Sequence, residues 1–443
     1  MAAQRRGGSV TRRQFVTGVG GAAIGGLAVG GVGGFFGGRA SESDESGSTA
    51  SGGNESGGTI SVGAGIPVTG AFSGDGQEMR RGLELGVDAI NARGGLLGRK
   101  LELSVLDTKE QQADVMKSVV RKFVSDKVAA MFVPFCTYQN AEFPIAAASK
   151  IPMFHVNTFQ GNADWVRDNK ADNIYQADPS QIWYGPGFAL VVNDLMNRNL
   201  WKPRAKTIAV VTSNDPYSLT IAQAFQKSVA KSGWKTSLFE KFTIPQSDWG
   251  TVLVKIRKNP PGVIFFSDYT ASDEASFMKQ FRQSPTPSLV YQQYAPSVPE
   301  YLQLAGDAAN GVMWSTVVGT LTTDPLGKDF IARYQAKYNE RPGLSNAGGQ
   351  FDAIHVWAQA AALAGDPYDY GTVNSILHGI IYRGVSGAIK FQPGILTCYP
   401  YPDKLADPSL GMPHLTFQIQ NGEQALVSPS PYADKQFQLP DWL

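Results

Sequence analysis

Cysteine is scarce: the 443 residues hold two, Cys136 and Cys398. So few exclude a small disulfide-stapled scaffold. A bridge requires Cα atoms within about 7 Å, so with the separation unknown, one disulfide and two free thiols stand equally open. Histidine is nearly as rare, with four residues. None is spaced with Cys or carboxylates as metal ligands are, which disfavours His155 as a metal ligand. Excess charge is missing as well: 39 Lys and Arg against 38 Asp and Glu leave a formal net charge of +1. With no basic cluster in the body, nucleic acid is a poor partner. Catalytic signatures are also absent. There is no G-x-S-x-G elbow, no H-E-x-x-H pair, no Walker loop and no G-x-G-x-x-G opening a helix. The expectation is a non-enzymatic chain that needs no cofactor.

Export is written at the amino terminus. Thr11-Arg12-Arg13-Gln14-Phe15-Val16 resembles the twin-arginine motif and precedes a weakly hydrophobic run of Gly, Ala and Val from Gly18 to Gly38. The run has the length of a membrane span, but its glycines lower both hydrophobicity and helix propensity. A removable signal over residues 1–40 is therefore expected in preference to a permanent anchor. No cysteine follows the run to take a lipid. Residues 41–58, rich in Ser, Gly, Glu and Asn, read as a disordered spacer.

From Thr59 onward about 385 residues remain, enough for two lobes with separate cores. Apolar strand candidates occupy 60–64, 101–106, 129–133, 152–155, 207–212, 236–239, 263–266 and 288–291. Helical spacing marks 77–91, 115–125, 182–196, 219–232, 249–258 and 272–282. Alternation of this kind predicts an α/β fold with parallel sheets flanked by helices. In such sheets ligands bind beyond the carboxyl ends of the strands.

The stretch Ile66 to Leu103 runs strand, loop "P-x-T-G-x-x-S-G", helix ending "D-A-I-N-A-R-G-G", then "G-R-K-L-E-L" and Asp107. This order resembles the first unit of type I periplasmic solute-binding proteins of the leucine/isoleucine/valine group. The resemblance implies two Rossmann-like lobes joined by a three-strand hinge. One lobe would comprise 59–177 and 295–382, the other 178–294 and 383–443. It also implies a monomeric receptor on the outer face of the cytoplasmic membrane that holds a small polar solute, such as a branched-chain or other amino acid, for the permease and ATPase subunits of an ABC importer. A ligand-sensing receptor domain of the same fold, not coupled to transport, is the competing class.

Ser73 and Asp75 lie in the first loop, and four further segments each follow a strand candidate. In the first, Thr137 and Tyr138 follow Cys136 before a helix expected near Ala141. Receptors for amino acids hold the ligand carboxylate with a serine after a cysteine, and Thr137 matches that place; a plain helix cap is the bland alternative. In the second, Asn157, Thr158 and Phe159 stand where amino-acid receptors have a small-residue turn. "N-T-F-Q-G" looks closer to the "V-Q-Y-E-G" turn of the urea- and short-amide-binding branch, although an aromatic residue there is often only core. Tyr217 and Tyr269 fall where family members present rings from the second lobe. Asp215 reads as a helix cap and Asp268 as a ligand contact. Gln293 and Tyr294 follow the strand 288–291, where amino-acid receptors carry a glutamate against the ligand ammonium. No acid stands there. Either Asp75 or Asp268 takes over the ammonium, or the solute is an amide, urea or a carboxylate. A lone anion is least favoured, because no Arg or Lys lies in these segments.

The Pro- and Tyr-rich stretch 392–413 is too long for a hinge alone and is expected to serve structure or a partner contact, with the tail through Trp442 packed on the body. If Arg12 and Arg13 form a twin-arginine signal, replacing both by Lys should leave the precursor in the cytoplasm with a folded body. Cell fractionation checks this, and unchanged export contradicts it.

Overall fold

The computed structural model describes residues 58–443; the expected export signal and nearly all of the expected spacer lie outside the described residues. Five parallel strands form the first sheet: β1 (Ile60–Ile66), β2 (Leu101–Asp107), β3 (Met131–Phe132), β4 (Met153–His155) and β5 (Ile174–Gln176), in the order β2-β1-β3-β4-β5. Helices α1 (Ser73–Asn91), α2 (Ala113–Asp126), α3 (Phe143–Ser149) and α4 (Gln160–Asp168) connect them. β1 is buried along nearly its whole length, as a parallel strand covered on both faces must be.

In the second sheet, β6 (Thr207–Ser213), β7 (Lys235–Phe242), β8 (Val263–Ser267), β9 (Leu289–Gln292) and β10 (Met313–Thr316) run parallel. β11 (Leu415–Gln420) and β12 (Glu423–Ser428) add an antiparallel edge, giving the order β12-β11-β10-β9-β8-β6-β7. Its helices are α5 (Tyr184–Asn197), α6 (Pro216–Ala230), α7 (Gly250–Lys258), α8 (Ala271–Gln283) and α9 (Pro299–Ala305). Among the described residues no helix is long and apolar enough to cross a membrane.

Three further helices, α10 (Pro325–Tyr338), α11 (Asn346–Ala364) and α12 (Tyr370–Gly379), return to the first lobe. Met79, Leu83, Val87 and Ile90 recur at helical spacing on α1 and enter the first core together with Ile354 and Trp357 of α11. Two glycines permit this close approach. A Cβ at Gly82 would lie 2.2 Å from the Ala347 carbonyl oxygen, and one at Gly86 would lie 2.4 Å from the Ile354 side chain. Glu78, buried on α1, accepts hydrogen bonds from the Tyr334 hydroxyl at 2.7 Å and the Gly343 N–H at 2.8 Å, which fixes α10 to α1.

The lobe boundaries differ from those expected. The chain leaves the first sheet after β5 and enters the second at β6. The second crossing does not fall near Tyr291–Pro296, because β10 pairs with β9 and β11 inside the second sheet; the chain crosses between Thr316 and Pro325. The third falls near Pro413, because Ile389, Phe391, Leu396, Cys398 and Met412 all pack in the first core. The 392–413 stretch is thus a structural seal on the first crossing: the Gln176 N–H donates to the Leu396 carbonyl at 2.9 Å and the Cys398 N–H to the Asp178 carbonyl at 3.0 Å. Both cysteines are free and buried. The tail docks as expected, the Trp442 indole donating to the Ser288 carbonyl at 2.9 Å.

Candidate functional site

A cavity of about 280 Å³ lies between the lobes, small beside the roughly 300–1,000 Å³ of sites for drug-sized ligands. Every wall is a segment that follows a strand or a crossing. Phe72 and Asp75 follow β1, Glu110 and Gln111 follow β2, and Phe135, Thr137, Tyr138 and Gln139 follow β3. Val156, Asn157 and Thr158 follow β4. The second lobe supplies Tyr217 after β6, Tyr269 after β8, Tyr294 after β9 and Val318 after β10, while Tyr184 and Asn346 open α5 and α11. The carboxyl ends of both parallel sheets therefore face one space.

Asp75 is the polar centre of this space. Its Oδ1 accepts from the Tyr294 hydroxyl and from the Asn346 amide, each at 2.7 Å. Burial pushes its carboxyl up to about 6, and Glu78 and Glu300 push the same way, against the pull of the two hydrogen bonds. Tyr294 pays for its position in backbone strain. It sits at φ +69° and ψ −56°, and the Ala295 N–H closes a three-residue turn onto the Gln293 carbonyl at 2.9 Å. That conformation is rare and costs about 1–3 kcal/mol.

The aromatic walls meet edge to face. Phe72 and Phe135 are 5.9 Å apart at 78°, and Tyr217 and Tyr269 are 6.1 Å apart at 71°. Phe72 reaches across to Tyr269 at 6.3 Å, so first-lobe and second-lobe rings close one side. Tyr217 is largely core, at 9% exposure, and its hydroxyl accepts from the Gln293 amide at 3.3 Å. Burial pushes the Tyr269 phenol up to about 12, with Asp215 and Asp268 adding to it.

Thr137 has a different role from the one the resemblance implied. Its N–H donates to Glu142 Oε1 at 2.9 Å and its hydroxyl to Oε2 at 2.7 Å. The hydroxyl also accepts from the Ala141 N–H at 2.8 Å. The protein's own buried carboxylate thus occupies the donors that would meet a ligand carboxylate. Asn157 is committed too: its amide donates to Asn162 Oδ1 at 2.7 Å and to the Cys136 carbonyl at 3.3 Å.

Of the residues singled out from sequence, Asp75, Thr137, Tyr138, Asn157, Thr158, Tyr217, Tyr269 and Tyr294 line the cavity. Ser73 does not. It is exposed on the first turn of α1, in a surface groove with Arg80 and Tyr338. Phe159, half-buried just ahead of α4, packs edge to face on Tyr138 at 4.9 Å and does not line the cavity. Asp268 is fully buried, neither oxygen has a hydrogen-bond partner, and it lines no part of the cavity; burial pushes its carboxyl up to about 7. Gln293 stands behind Tyr217. Asp215 caps α6, accepting from the Ser218 N–H at 3.0 Å. Phe72, Phe135, Tyr184 and Asn346 were not singled out. The first two stand inside the quoted segments and could have been found there, whereas Asn346 reaches the site only through the α1–α11 packing.

Residues 59–394 match the family model described as "Periplasmic binding protein". Among curated proteins, a Leu/Ile/Val-binding protein homolog 7 from Brucella suis is 23% identical over 296 residues, 64% of this chain and 72% of that protein. The leucine-, isoleucine-, valine-, threonine- and alanine-binding protein of Pseudomonas aeruginosa is 23% identical over 344 residues, 75% of this chain and 86% of that protein. A crystal structure from Silicibacter pomeroyi, provisionally described as a branched-chain amino acid ABC transporter, superposes with a TM-score of 0.83 at 34% identity, covering 87% of this chain and all of that one. A Streptococcus pneumoniae branched-chain amino acid transporter substrate-binding protein in complex with isoleucine shares the fold, with a TM-score of 0.69 at 22% identity over 84% of this chain and all of that one.

Because burial raises the folded midpoint of Asp75 from the ordinary carboxylate range to about 6, the fold favours its neutral form. The stability that this brings is present at low pH and is lost as pH rises through about 6. Asp75→Asn should therefore raise the ligand-free melting temperature at pH 7.5, with the gain shrinking toward pH 4.5. Tyr294→Phe, which removes a donor to the carboxylate, should move the Asp75 midpoint upward in an NMR titration. A gain that grows as pH falls, or a midpoint that drops in the Phe variant, contradicts this assignment.

Proposed function

The chain belongs to the periplasmic binding protein family, and on that premise we propose that it is the extracytoplasmic receptor of an ABC importer, reaching its place by the twin-arginine route. It acts as a monomer, holds one small solute between its lobes, does no chemistry on it, and presents it to permease and ATPase subunits. The observation that carries this reading is the inter-lobe cavity at the carboxyl ends of both sheets. Hinge motion at the three crossings opens and closes it.

The lining supports a solute without net negative charge. It contains no Lys, Arg or His, and Asp75 is built into the wall as an acceptor. Relatives are named for branched-chain amino acids, and the ammonium of an amino acid would be met here by Asp75, taking the part of the glutamate absent after β9. The urea or short-amide alternative loses one support, since Phe159 is not among the lining residues.

A thermal-shift panel of amino acids, methylated amines, urea, short amides and small carboxylates tests the reading. A solute at 100 times its dissociation constant adds about 2.7 kcal/mol to stability. For an ammonium-bearing solute, Asp75→Asn should cost about 2–5 kcal/mol of binding, the scale of leaving one buried charge unpaired. Asp268→Asn should leave affinity unchanged. No stabilisation by any compound, or affinity lost through Asp268 alone, contradicts the proposal.

A further inference from the structure

Seven aromatic rings line a space of about 280 Å³, and no basic side chain lines it. Elsewhere the protein's cations cover its rings. Arg81 lies 4.8 Å from the Tyr338 ring centroid, Arg282 lies 4.8 Å from that of Trp442, and Lys404 lies 5.6 Å from that of Trp183. Among the described residues, none of the cavity rings has such a cation. Neighbouring rings meet edge to face at 71° and 78°. Two carboxylates, Glu110 and Asp75, stand in the wall, and Asp75 is the one held among the rings. Its Oδ1 is held by two donors, and among the described residues nothing hydrogen-bonds to its Oδ2.

The hydrogen-bonding stock of the cavity points the same way. A free amino acid needs donors for its carboxylate, and several in the lining are committed: both donors of Thr137 to Glu142, both amide hydrogens of Asn157 to Asn162 and Cys136, and both of Asn346 to Asp75 and Tyr294. A primary ammonium would need up to three acceptors, and aromatic faces supply none. A methylated ammonium has no such requirement. It carries its charge on an apolar surface, gives up little hydration, and is attracted by ring faces.

Resting on the receptor reading above, we propose that the recognition element of the solute is a methylated ammonium group, boxed by Phe72, Tyr217, Tyr269 and Tyr294 with Asp75 as its counter-charge. Phe72 and Tyr269 come from opposite lobes, so the box is complete only when the lobes meet. The cation then holds the two lobes together through one ring from each.

Isothermal titration of the exported protein with three probes tests this: choline; 3,3-dimethyl-1-butanol, its neutral isostere with carbon in place of nitrogen; and isoleucine. Choline should bind, and the isostere should bind at least about 30-fold more weakly, the worth of a desolvated cation–π contact. Asp75→Asn should weaken choline by about 30-fold or more. Tyr269→Ala should weaken it at least about 10-fold, with circular dichroism reporting an unchanged fold in both variants. Equal binding of choline and its isostere overturns the inference, since burial alone would then account for affinity. Isoleucine binding in the absence of choline binding overturns it while leaving the receptor reading intact. If none of the three binds, the inference falls; the wider thermal-shift panel then decides whether the receptor reading falls with it.

Discussion

A hydrogen bond across the cleft ties charge to closure: the Tyr294 hydroxyl, from the second lobe, donates to Asp75, from the first, at 2.7 Å. Much of the rest follows from making it. Tyr294 can reach only from a strained turn at φ +69°, and the strain is sustained by β9, the strand behind it, which is buried throughout. Asp75 can be held only because α1 lies against α11 closely enough for Asn346 to share the carboxylate. That approach in turn depends on Gly82 and Gly86. An acid with its ionisation pushed up to about 6 is a poor stabiliser at neutral pH, and its retention in the cavity wall agrees with a role in meeting a positive group.

A second constraint works by exclusion. Glu142 is fully buried and satisfied by Thr137, so the Thr137 donors that could greet a foreign carboxylate greet an internal one. A solute carboxylate entering there would have to displace it and leave a buried charge unpaired, at a cost of several kcal/mol. Specificity of this kind is built against one ligand class as much as toward another. The lining also holds no basic residue that could meet an anion.

Much of the architecture was legible because parallel α/β folds advertise themselves. Buried strands such as 263–266 are continuous apolar runs, and amphipathic helices such as 77–91 show a clear 3.6-residue period. Asp75 could be singled out from its Gly/Ser segment, although that segment proves to be the first turn of α1. The boundaries at 295 and 383 were not legible, because nothing local distinguishes a strand such as Met313–Thr316 that pairs in one sheet from one that pairs in the other. That choice is made by partners more than a hundred residues away, as in the Trp314–Phe417 pairing. The same limit explains Asp268 and Phe159. Their types and positions suit a ligand site, but whether a side chain lines the cleft is set by tertiary packing. Thr137 shows the limit most plainly: its place in the motif was readable, yet the residue it binds is Glu142, five positions on.

The central claim is that the cleft recognises positive charge through Asp75 and aromatic faces, and leaves no place for a ligand carboxylate at Thr137. A crystal structure of the solute-saturated protein tests it most directly. The account predicts a cationic group beside Asp75 and against the Tyr269 face, with the Thr137–Glu142 pair intact. A solute carboxylate bonded to Thr137, with Glu142 displaced, would contradict it.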